Sequence, residues 1–343
     1  MSFELTDTEQ MILDLARDFA EREVAPRAAE LDRTAEFPAD LVAKMGDLGL
    51  MGIPFPPEYG GSGQSYLLFA RVVEELCRAC ASTGLILDVS TSLCGEPIDK
   101  FGSHDVKSRF LTPLAQGQTL GALAMTEPEA GSDAAGIKTR AVRDGDDYIL
   151  NGHKTFITNG GRADTYVVTA VTDPDRGNRG ITDFVVEKAM GGVSFGPPMH
   201  KLGIVASPTT DVFFEDVRVP ARNILGEPGL GFRITMETLD AGRIGIAAQA
   251  CGIARSALEE ATAYAKSRKQ FGQPIAEFQA IQFMLADMAM QVEAARLLTY
   301  QAAALRSRDV PCAKESAMAK CFAGDTAVKV ALDAVQIHGG YGY

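Results

Sequence analysis

The stretch 124–136 combines hydroxyl, carboxyl and glycine residues at unusual density. Thr126, Ser132 and Asp133 supply polar side chains there, and one proline and two glycines leave several backbone N–H groups uncovered. Such a set suits a ligand that carries a polar ring system and a diphosphate. The same composition is also typical of a loop between domains. The elements around the stretch must decide between these two interpretations.

The overall composition restricts the class of partner. The 343 residues are 46% hydrophobic and carry a formal net charge of −12, which argues against nucleic acid or an anionic membrane as the main partner. No apolar run approaches the roughly 18–20 residues that span a bilayer. The first residues lack the basic and apolar regions of a secretory signal. We therefore expect a cytoplasmic protein.

The cysteines and histidines do not indicate a metal site. Cys77 and Cys80 form a lone C-x-x-C inside a helical pattern, and no second pair follows at metal-binding spacing. The four histidines are far apart in the sequence. We expect reduced thiols throughout, with Cys77 and Cys80 as small core residues, and no bound metal.

Helical patterns occupy both ends of the chain. Thr6 and Glu9 form a capping box before an apolar residue period typical of a helix, and further helical periods continue through residues 1–119. The helical period returns over residues 229–343, where apolar residues at steps of three and four predict a four-helix-bundle-type domain. We expect an N-terminal and a C-terminal helical domain, the latter without its last segment.

The middle of the chain has strand patterns. Short β-branched and aromatic runs are punctuated by Asn151-Gly152 and Asn159-Gly160, and Asn-Gly is a strong hairpin signal. Residues 120–228 are therefore predicted to form a small antiparallel barrel or sandwich. The stretch 124–136 begins this middle domain.

Five motifs, in order along essentially the whole chain, resemble the acyl-CoA dehydrogenase family. They are Met125–Asp133, Asn151–Gly160, Leu239–Gly245, Arg268–Gly272 with Phe278-Gln279, and Gln336–Gly342. The third motif is most similar to the short-chain (butyryl-CoA) branch. The resemblance implies a mostly α fold with a central β domain, and it implies FAD as the cofactor.

The resemblance also implies which residues of the middle domain hold the flavin. These positions are Leu123, Met125, Thr126, Ser132, Phe156, Ile157 and Thr158. Backbone groups near Met125 and Thr126 would bond the flavin ring, while Phe156 would cover it and Thr158 would bond near its reactive nitrogen. Many relatives have Trp where this chain has Phe156, which keeps the packing but loses an N–H donor.

Further positions match substrate contacts and a flavin bound mainly by a neighbouring subunit. Ser132, Asp240 and Arg243 match contacts to the acyl-CoA. The residues that match contacts to the neighbour's FAD are Arg268, Gln270, Phe271, Phe278, Gln279, His338, Gly339, Gly340 and Gly342. An arginine fork suits a pyrophosphate, and glycine allows close backbone approach. The family picture implies a homotetramer that shares FAD sites between subunits.

The implied reaction is α,β-dehydrogenation of a short- or medium-chain acyl-CoA to the trans-2-enoyl-CoA, as in fatty-acid β-oxidation. A base removes the α-proton, hydride leaves for the flavin, and electrons pass to an electron-transfer flavoprotein. In this branch the base is a glutamate on a segment expected after Tyr343, so none of the 343 residues is assigned as the base. Glu127 and Glu129 are not assigned this role, and Gly242 stands where another branch carries its base.

Two other functions stay open at this point. Without its base, the chain could be a flavin- and acyl-CoA-binding homologue with a scaffold role and no efficient turnover. It could also be a relative that passes electrons to oxygen. We expect a truncated or incompletely recorded sequence, which leaves the dehydrogenase as the favoured interpretation.

Overall fold

The computed structural model describes residues 3–343 and divides them into two compact units. The helical unit comprises residues 3–28, Ser65–Leu85 and Arg243–Tyr343. The sheet unit comprises Ala29–Gln64 and Ile86–Gly242. None of the helices described is long and apolar enough to cross a membrane.

Helices dominate both ends of the chain, as predicted. The α-helices described are α1 (Asp7–Phe19), α2 (Ala28–Thr34), α3 (Ala39–Asp47), α4 (Tyr66–Ala79), α5 (Ala81–Asp88), α6 (Glu96–Phe101), α7 (His104–Val106), α8 (Thr112–Ala115), α9 (Gly231–Ser267), α10 (Gln279–Arg306) and α11 (Ala313–His338). The predicted capping box at α1 is confirmed, because Thr6 Oγ1 accepts from Glu9 N at 3.2 Å and Glu9 Oε2 accepts from Thr6 N at 2.9 Å.

A buried carboxylate joins three helices of the helical unit. Glu74 of α4 is 1% exposed and accepts hydrogen bonds from Arg255 Nη1 of α9 at 2.5 Å and from Arg296 Nε of α10 at 3.0 Å. Its other oxygen accepts from the Tyr300 hydroxyl at 2.5 Å. Because breaking such a buried network leaves uncompensated charge, it specifies how these helices pack.

The middle of the chain forms the predicted sheet. The strands are β1 (Gly121–Ala124), β2 (Arg140–Asp144), β3 (Asp147–Thr158), β4 (Thr165–Val171), β5 (Ile181–Glu187), β6 (Val193–Phe195) and β7 (Thr209–Pro220), with a separate hairpin of β8 (Lys269–Gln270) and β9 (Gln273–Pro274). In the described chain the main sheet has the order β1-β4-β2-β3-β7-β6, and β5 pairs with β4. The helical–sheet–helical order predicted from the sequence is confirmed.

Two details of the sheet differ from the prediction. The sheet is mixed rather than wholly antiparallel, because β1 runs parallel to β4 with Gly121 opposite Thr165. Asn151-Gly152 is not a hairpin turn but lies inside β3. A Cβ at position 152 would lie 2.3 Å from Thr139 Oγ1, so this glycine serves a close approach of side chain to backbone.

Candidate active site

A buried ion pair fixes the segment that follows β1. Lys154 Nζ of β3 donates to Glu127 Oε1 and to the Met125 carbonyl, each at 2.8 Å. Glu127 also accepts from the backbone N–H of Lys138 at 2.6 Å and of Thr139 at 3.0 Å. The Lys154 side chain is fully buried. Both oxygens of Glu127 are therefore occupied by structural partners.

The pKa values of this pair follow from burial and from the contacts. Burial lowers the pKa of Lys154 to about 8, although the Glu127 charge opposes that shift. Burial alone would raise the pKa of Glu127, but the Lys154 charge and the hydrogen-bond donors outweigh it and hold the pKa below its ordinary value. At neutral pH both groups are charged, so the pair is a salt bridge.

The structure brings the two predicted flavin-facing segments of the sheet unit side by side. Thr155 N donates to the Thr126 carbonyl at 2.9 Å, directly beside the Lys154 bond to Met125. Met125, Thr126 and the preceding Leu123 are half-buried, so they retain an accessible face. Backbone pairing over this short distance makes one continuous wall from segments that are about thirty residues apart in the chain.

Phe156 projects from this wall in a strained conformation. Its φ is +59°, a region that side-chain-bearing residues rarely adopt, and the β3–β7 register shifts between Lys154 and Ile157. The ring is 65% exposed, whereas the neighbouring Ile157 is 2% exposed. A bulge with stored strain that holds a large apolar ring outward is typical of a ligand-contacting position.

The end of β3 is anchored behind the wall. Thr158 is half-buried, and the fully buried Asn159 follows it with φ +62°. Asn159 Nδ2 donates to the carbonyl groups of Gly121 at 3.1 Å and Ile86 at 3.3 Å. These bonds fix the position of Thr158 relative to β1.

Ser132 lies in the exposed part of the stretch 124–136. It precedes a short 3₁₀ turn, Ala134–Gly136, while Ala130 just before it is buried. Glu129, on the same loop, pairs with the exposed Lys138. The loop is therefore anchored at its base by Glu127 and Ala130 and presents the Ser132 hydroxyl to solvent.

A second cluster of predicted residues surrounds one cavity in the helical unit. The cavity has a volume of about 390 Å³ and is lined by Tyr264, Arg268, Gln270, Ile275, Ile337, His338, Gly339, Gly340 and Tyr341. The His338 ring stacks on Tyr264 with centroids 4.4 Å apart, and the Arg268 guanidinium lies 5.7 Å from the centre of the Tyr341 ring. A Cβ at Gly339 or Gly340 would meet open space, so these glycines leave backbone uncovered.

The β8–β9 hairpin carries the remaining predicted positions of this cluster. Phe271 and Gly272 both have positive φ, 52° and 84°, as a tight two-residue hairpin turn requires. This turn leaves the Phe271 ring 94% exposed, 6.1 Å from the Phe278 ring in an edge contact. Phe278 precedes α10, whose first residue is Gln279.

The last predicted positions lie on α9 and at the C-terminus. Asp240 and Arg243 are half-buried on α9, three residues apart, although contacts divide them between the sheet unit and the helical unit. Gly242 between them lies against Leu93, whose Cδ2 would be 2.5 Å from an added Cβ. Gly342 is packed more tightly than the other C-terminal glycines, since its Cβ would lie 2.4 Å from the Val335 carbonyl oxygen.

The sequence did not predict that Lys154 or Asn159 would position the site, although both stand inside the motif Asn151–Gly160. The available signal was a charged and an amide residue within an otherwise apolar strand, where burial requires a partner. The sequence could not identify that partner, because Glu127 lies 27 residues away along the chain.

Comparisons with known proteins match all three parts of the chain to one family. Residues 6–118, 122–217 and 229–343 match the models of the acyl-CoA dehydrogenase N-terminal, middle and C-terminal domains. The whole chain is 49% identical to the short-chain-specific acyl-CoA dehydrogenase of Clostridium acetobutylicum and covers 90% of that relative.

Solved structures extend the likeness to three dimensions. The butyryl-CoA dehydrogenase of Megasphaera elsdenii is 48% identical with a TM-score of 0.98, over 100% of this chain and 91% of that one. A chain in the structure of the electron-transferring flavoprotein of Acidaminococcus fermentans is 51% identical with a TM-score of 0.98, over 100% of this chain and 90% of that one. This chain belongs to the acyl-CoA dehydrogenase family, whose members are flavin-dependent oxidoreductases.

Proposed function

We propose that this protein binds FAD and dehydrogenates a short- or medium-chain acyl-CoA to the trans-2-enoyl-CoA, as in fatty-acid β-oxidation. The observation that carries the proposal is the wall in which Lys154 and Thr155 hold Met125 and Thr126 beside the outward Phe156 ring. The short chain length is supported by likeness to the relatives named for short-chain and butyryl-CoA substrates.

The residues of the wall fit a flavin. Backbone groups at Met125 and Thr126 offer polar contacts to a ring edge, and the exposed Phe156 ring offers a flat apolar cover that excludes water. Thr158, half-buried at the end of β3, offers a hydroxyl. When bound, FAD would accept the hydride from the substrate β-carbon.

The second cluster fits the diphosphate of the same kind of cofactor. Arg268 and Gln270 offer donors, and the uncovered backbone of Gly339 and Gly340 allows phosphate oxygens to approach closely. Following the family resemblance, we propose that this cavity serves the FAD of a neighbouring subunit, with the Phe271 hairpin, Gln279 and Gly342 completing it.

An exposed apolar stripe supports an oligomer. Phe283, Met290 and Leu297 recur every seven residues on α10 and are 65%, 64% and 46% exposed. On α11, Val328 and Leu332 are 63% and 64% exposed. Regular heptad spacing of exposed apolar residues is typical of a helix that packs on another chain. We propose the homotetramer as the functional form.

The general base and the electron acceptor complete the proposal. Because Glu127 and Glu129 have structural partners, we assign the base to a glutamate beyond residue 343. Asp240, Arg243 and Ser132 would bind the CoA part of the substrate.

An electron-transfer flavoprotein as acceptor is supported by likeness to a chain in the Acidaminococcus fermentans structure. Location in the cytoplasm stays a prediction from the sequence.

The proposal is tested with the protein expressed from its full reading frame and loaded with FAD. Anaerobic addition of butyryl-CoA should bleach the oxidised flavin band, and a long-chain acyl-CoA should do so more slowly. Reoxidation should be fast with electron-transfer flavoprotein and slow with oxygen. An unchanged flavin spectrum across a panel of acyl-CoA lengths would reject the proposed function.

A further inference from the structure

A buried carboxyl of the sheet unit lies outside the residues assigned so far. Asp183 of β5 is 0% exposed, and its Oδ2 accepts a hydrogen bond from the Thr235 hydroxyl of α9 at 2.9 Å. The Thr235 hydroxyl also lies 3.3 Å from the Thr169 hydroxyl of β4. Within residues 3–343, Asp183 Oδ1 has no hydrogen-bond partner. Because a buried carboxylate is costly without donors to both oxygens, this side chain favours its protonated form.

The register of the sheet brings Asp183 close to the wall that contains Met125. Ala124 of β1 lies opposite Val168 of β4, and the next residue of β4, Thr169, lies opposite Asp183. Met125, Thr169 and Asp183 therefore lie in one row across three neighbouring segments. At a strand spacing of about 4.8 Å, the Asp183 backbone is on the order of 10 Å from the Met125 backbone.

The charge of the wall acts on this carboxyl. Burial raises the pKa of Asp183 to about 7, although the Thr235 hydroxyl and the Lys154 charge oppose that shift. Near neutral pH, a small change in the charge around Asp183 is therefore enough to add or remove its proton.

The other elements packed against Asp183 present uncharged groups in the described part of the chain. The segment after β7 contributes the Leu225 N–H, which donates to the Asp183 carbonyl at 2.9 Å. On α9, Arg233 is exposed, and Glu237 has an ion pair of its own. Lys154 is the ionised side chain whose charge acts on the Asp183 carboxyl.

The positive charge of the wall is already balanced, because the buried Lys154 pairs with Glu127. Hydride from the substrate β-carbon brings two electrons and one proton, so a neutral flavin ring held at the wall would gain one negative charge. A negative charge nearby favours the protonated form of a carboxyl. Uptake of a proton by Asp183 would offset the charge that the wall gains.

We propose that Asp183 takes up one proton when the cofactor at the wall is reduced and so links electron uptake to pH. This inference rests on the proposed function, because it takes FAD as the group held at Met125 and Thr126. Two electrons and one proton go to the cofactor, and one further proton moves from solvent to the Asp183 carboxylate. Asp183 is a positioning residue in this assignment, since it acts through the charge of the wall.

The first test is an infrared difference spectrum, reduced minus oxidised, of the FAD-loaded protein with dithionite as the electron donor. At about pH 8.5, reduction should produce the carbonyl band of a newly protonated carboxyl. At about pH 6 the band should be absent, because Asp183 already holds its proton. The band should vanish in Asp183→Asn, which keeps an oxygen that accepts from Thr235. Asp146→Asn, at an exposed residue of the β2–β3 turn, is the matched control and should keep the band.

The midpoint potential of the bound flavin is an independent readout. At about pH 8.5, the equilibrium constant for reduction should be about three- to tenfold larger in Asp183→Asn than in the wild type, because a buried negative charge is removed. At about pH 6 the two proteins should agree within about twofold. Thr235→Val removes a donor to the carboxylate, so Asp183 should hold its proton to higher pH and the infrared band at about pH 8.5 should be weaker.

Three results would overturn the inference: a wild-type spectrum without the band at about pH 8.5, a band that survives in Asp183→Asn, or equal potentials of these two proteins at both pH values. If Asp183→Asn does not fold, an undiminished band in Thr235→Val would overturn it instead. Dithionite reduces the flavin without acyl-CoA, so a failure of butyryl-CoA to bleach the flavin would reject the proposed function separately.

Discussion

Lys154 Nζ lies 2.8 Å from Glu127 Oε1, and both side chains are buried in the sheet unit. The same ammonium group donates to the Met125 carbonyl. One buried charge therefore connects a strand to the segment after β1 and sets the geometry of the wall that we assign to the flavin.

We expect Lys154→Met to destabilise the protein by about 3–5 kcal/mol, because it leaves Glu127 buried without its counter-ion. FAD should also dissociate more readily, since the Met125–Thr126 segment loses its link to β3. Urea unfolding and release of flavin fluorescence measure the two effects. The control is Lys138→Met, which removes the exposed partner of Glu129 and should cost no more than about 1 kcal/mol. Equal effects of the two substitutions would contradict the assigned role of Lys154.

The Glu127 carboxyl should make stability sensitive to acid. Its pKa in the folded state lies below the ordinary value of 4.5. The stability that it supplies is therefore fully present above about pH 4.5 and is lost as the pH falls through the lowered pKa. Glu127→Gln should be less stable than the wild type at pH 7, but its free energy of unfolding should fall less between pH 5 and about pH 3. Parallel curves for the two proteins would show that Glu127 does not carry this charge.

Phe156 should lower the stability of the FAD-free protein and strengthen the binding of FAD. Because its φ is +59°, Phe156→Gly should relieve about 1 kcal/mol of backbone strain in the FAD-free protein. The same change removes the exposed ring, so FAD should bind more weakly. Val142→Gly is the control, since it removes another exposed apolar side chain from a strand and should destabilise by about 0.5–1 kcal/mol. Thermal unfolding measures the stability of the two variants, and flavin titration measures their affinity for FAD. An unchanged FAD affinity in Phe156→Gly would show that Phe156 does not contact the cofactor.

FAD binding in the cavity around Arg268 should weaken both when a positive charge is removed and when the open space is filled. Arg268→Ala removes a fork of donors, and Gly340→Val fills space that is open in the structure. Each should weaken FAD binding about tenfold or more with little effect on unfolding of the FAD-free protein. Lys266→Ala removes a nearby exposed charge of α9 as the control. Unaltered FAD dissociation in both variants would contradict a cofactor role for this cavity.

The stripe on α10 should control assembly. Met290→Asp places a charge among Phe283 and Leu297, where burial against another chain would be costly. Light scattering should then show smaller particles than the tetramer that we propose for the wild type, and the FAD content should fall with the assembly. Glu293→Gln, one turn away on an exposed side chain, should leave the assembly intact. A tetramer that persists in Met290→Asp would move the interface elsewhere.

The sequence alone determined the features that depend on short windows of residues. The capping box of Thr6 and Glu9 and the change from helical to strand patterns are local, because intrinsic preferences and residue periods set them. The five ordered motifs also sufficed to predict the family. The prediction of a turn at Asn151-Gly152 was wrong, because these residues lie inside β3. The glycine there lets the Thr139 side chain approach the strand closely.

The tertiary structure decided what depends on residues far apart in the chain. It showed that Lys154 has Glu127 and Met125 as partners and that the Phe156 ring is exposed at a bulge. Neither feature follows from the spacing of residues in the sequence, because a buried charge acquires its partner only when packing brings separate segments together.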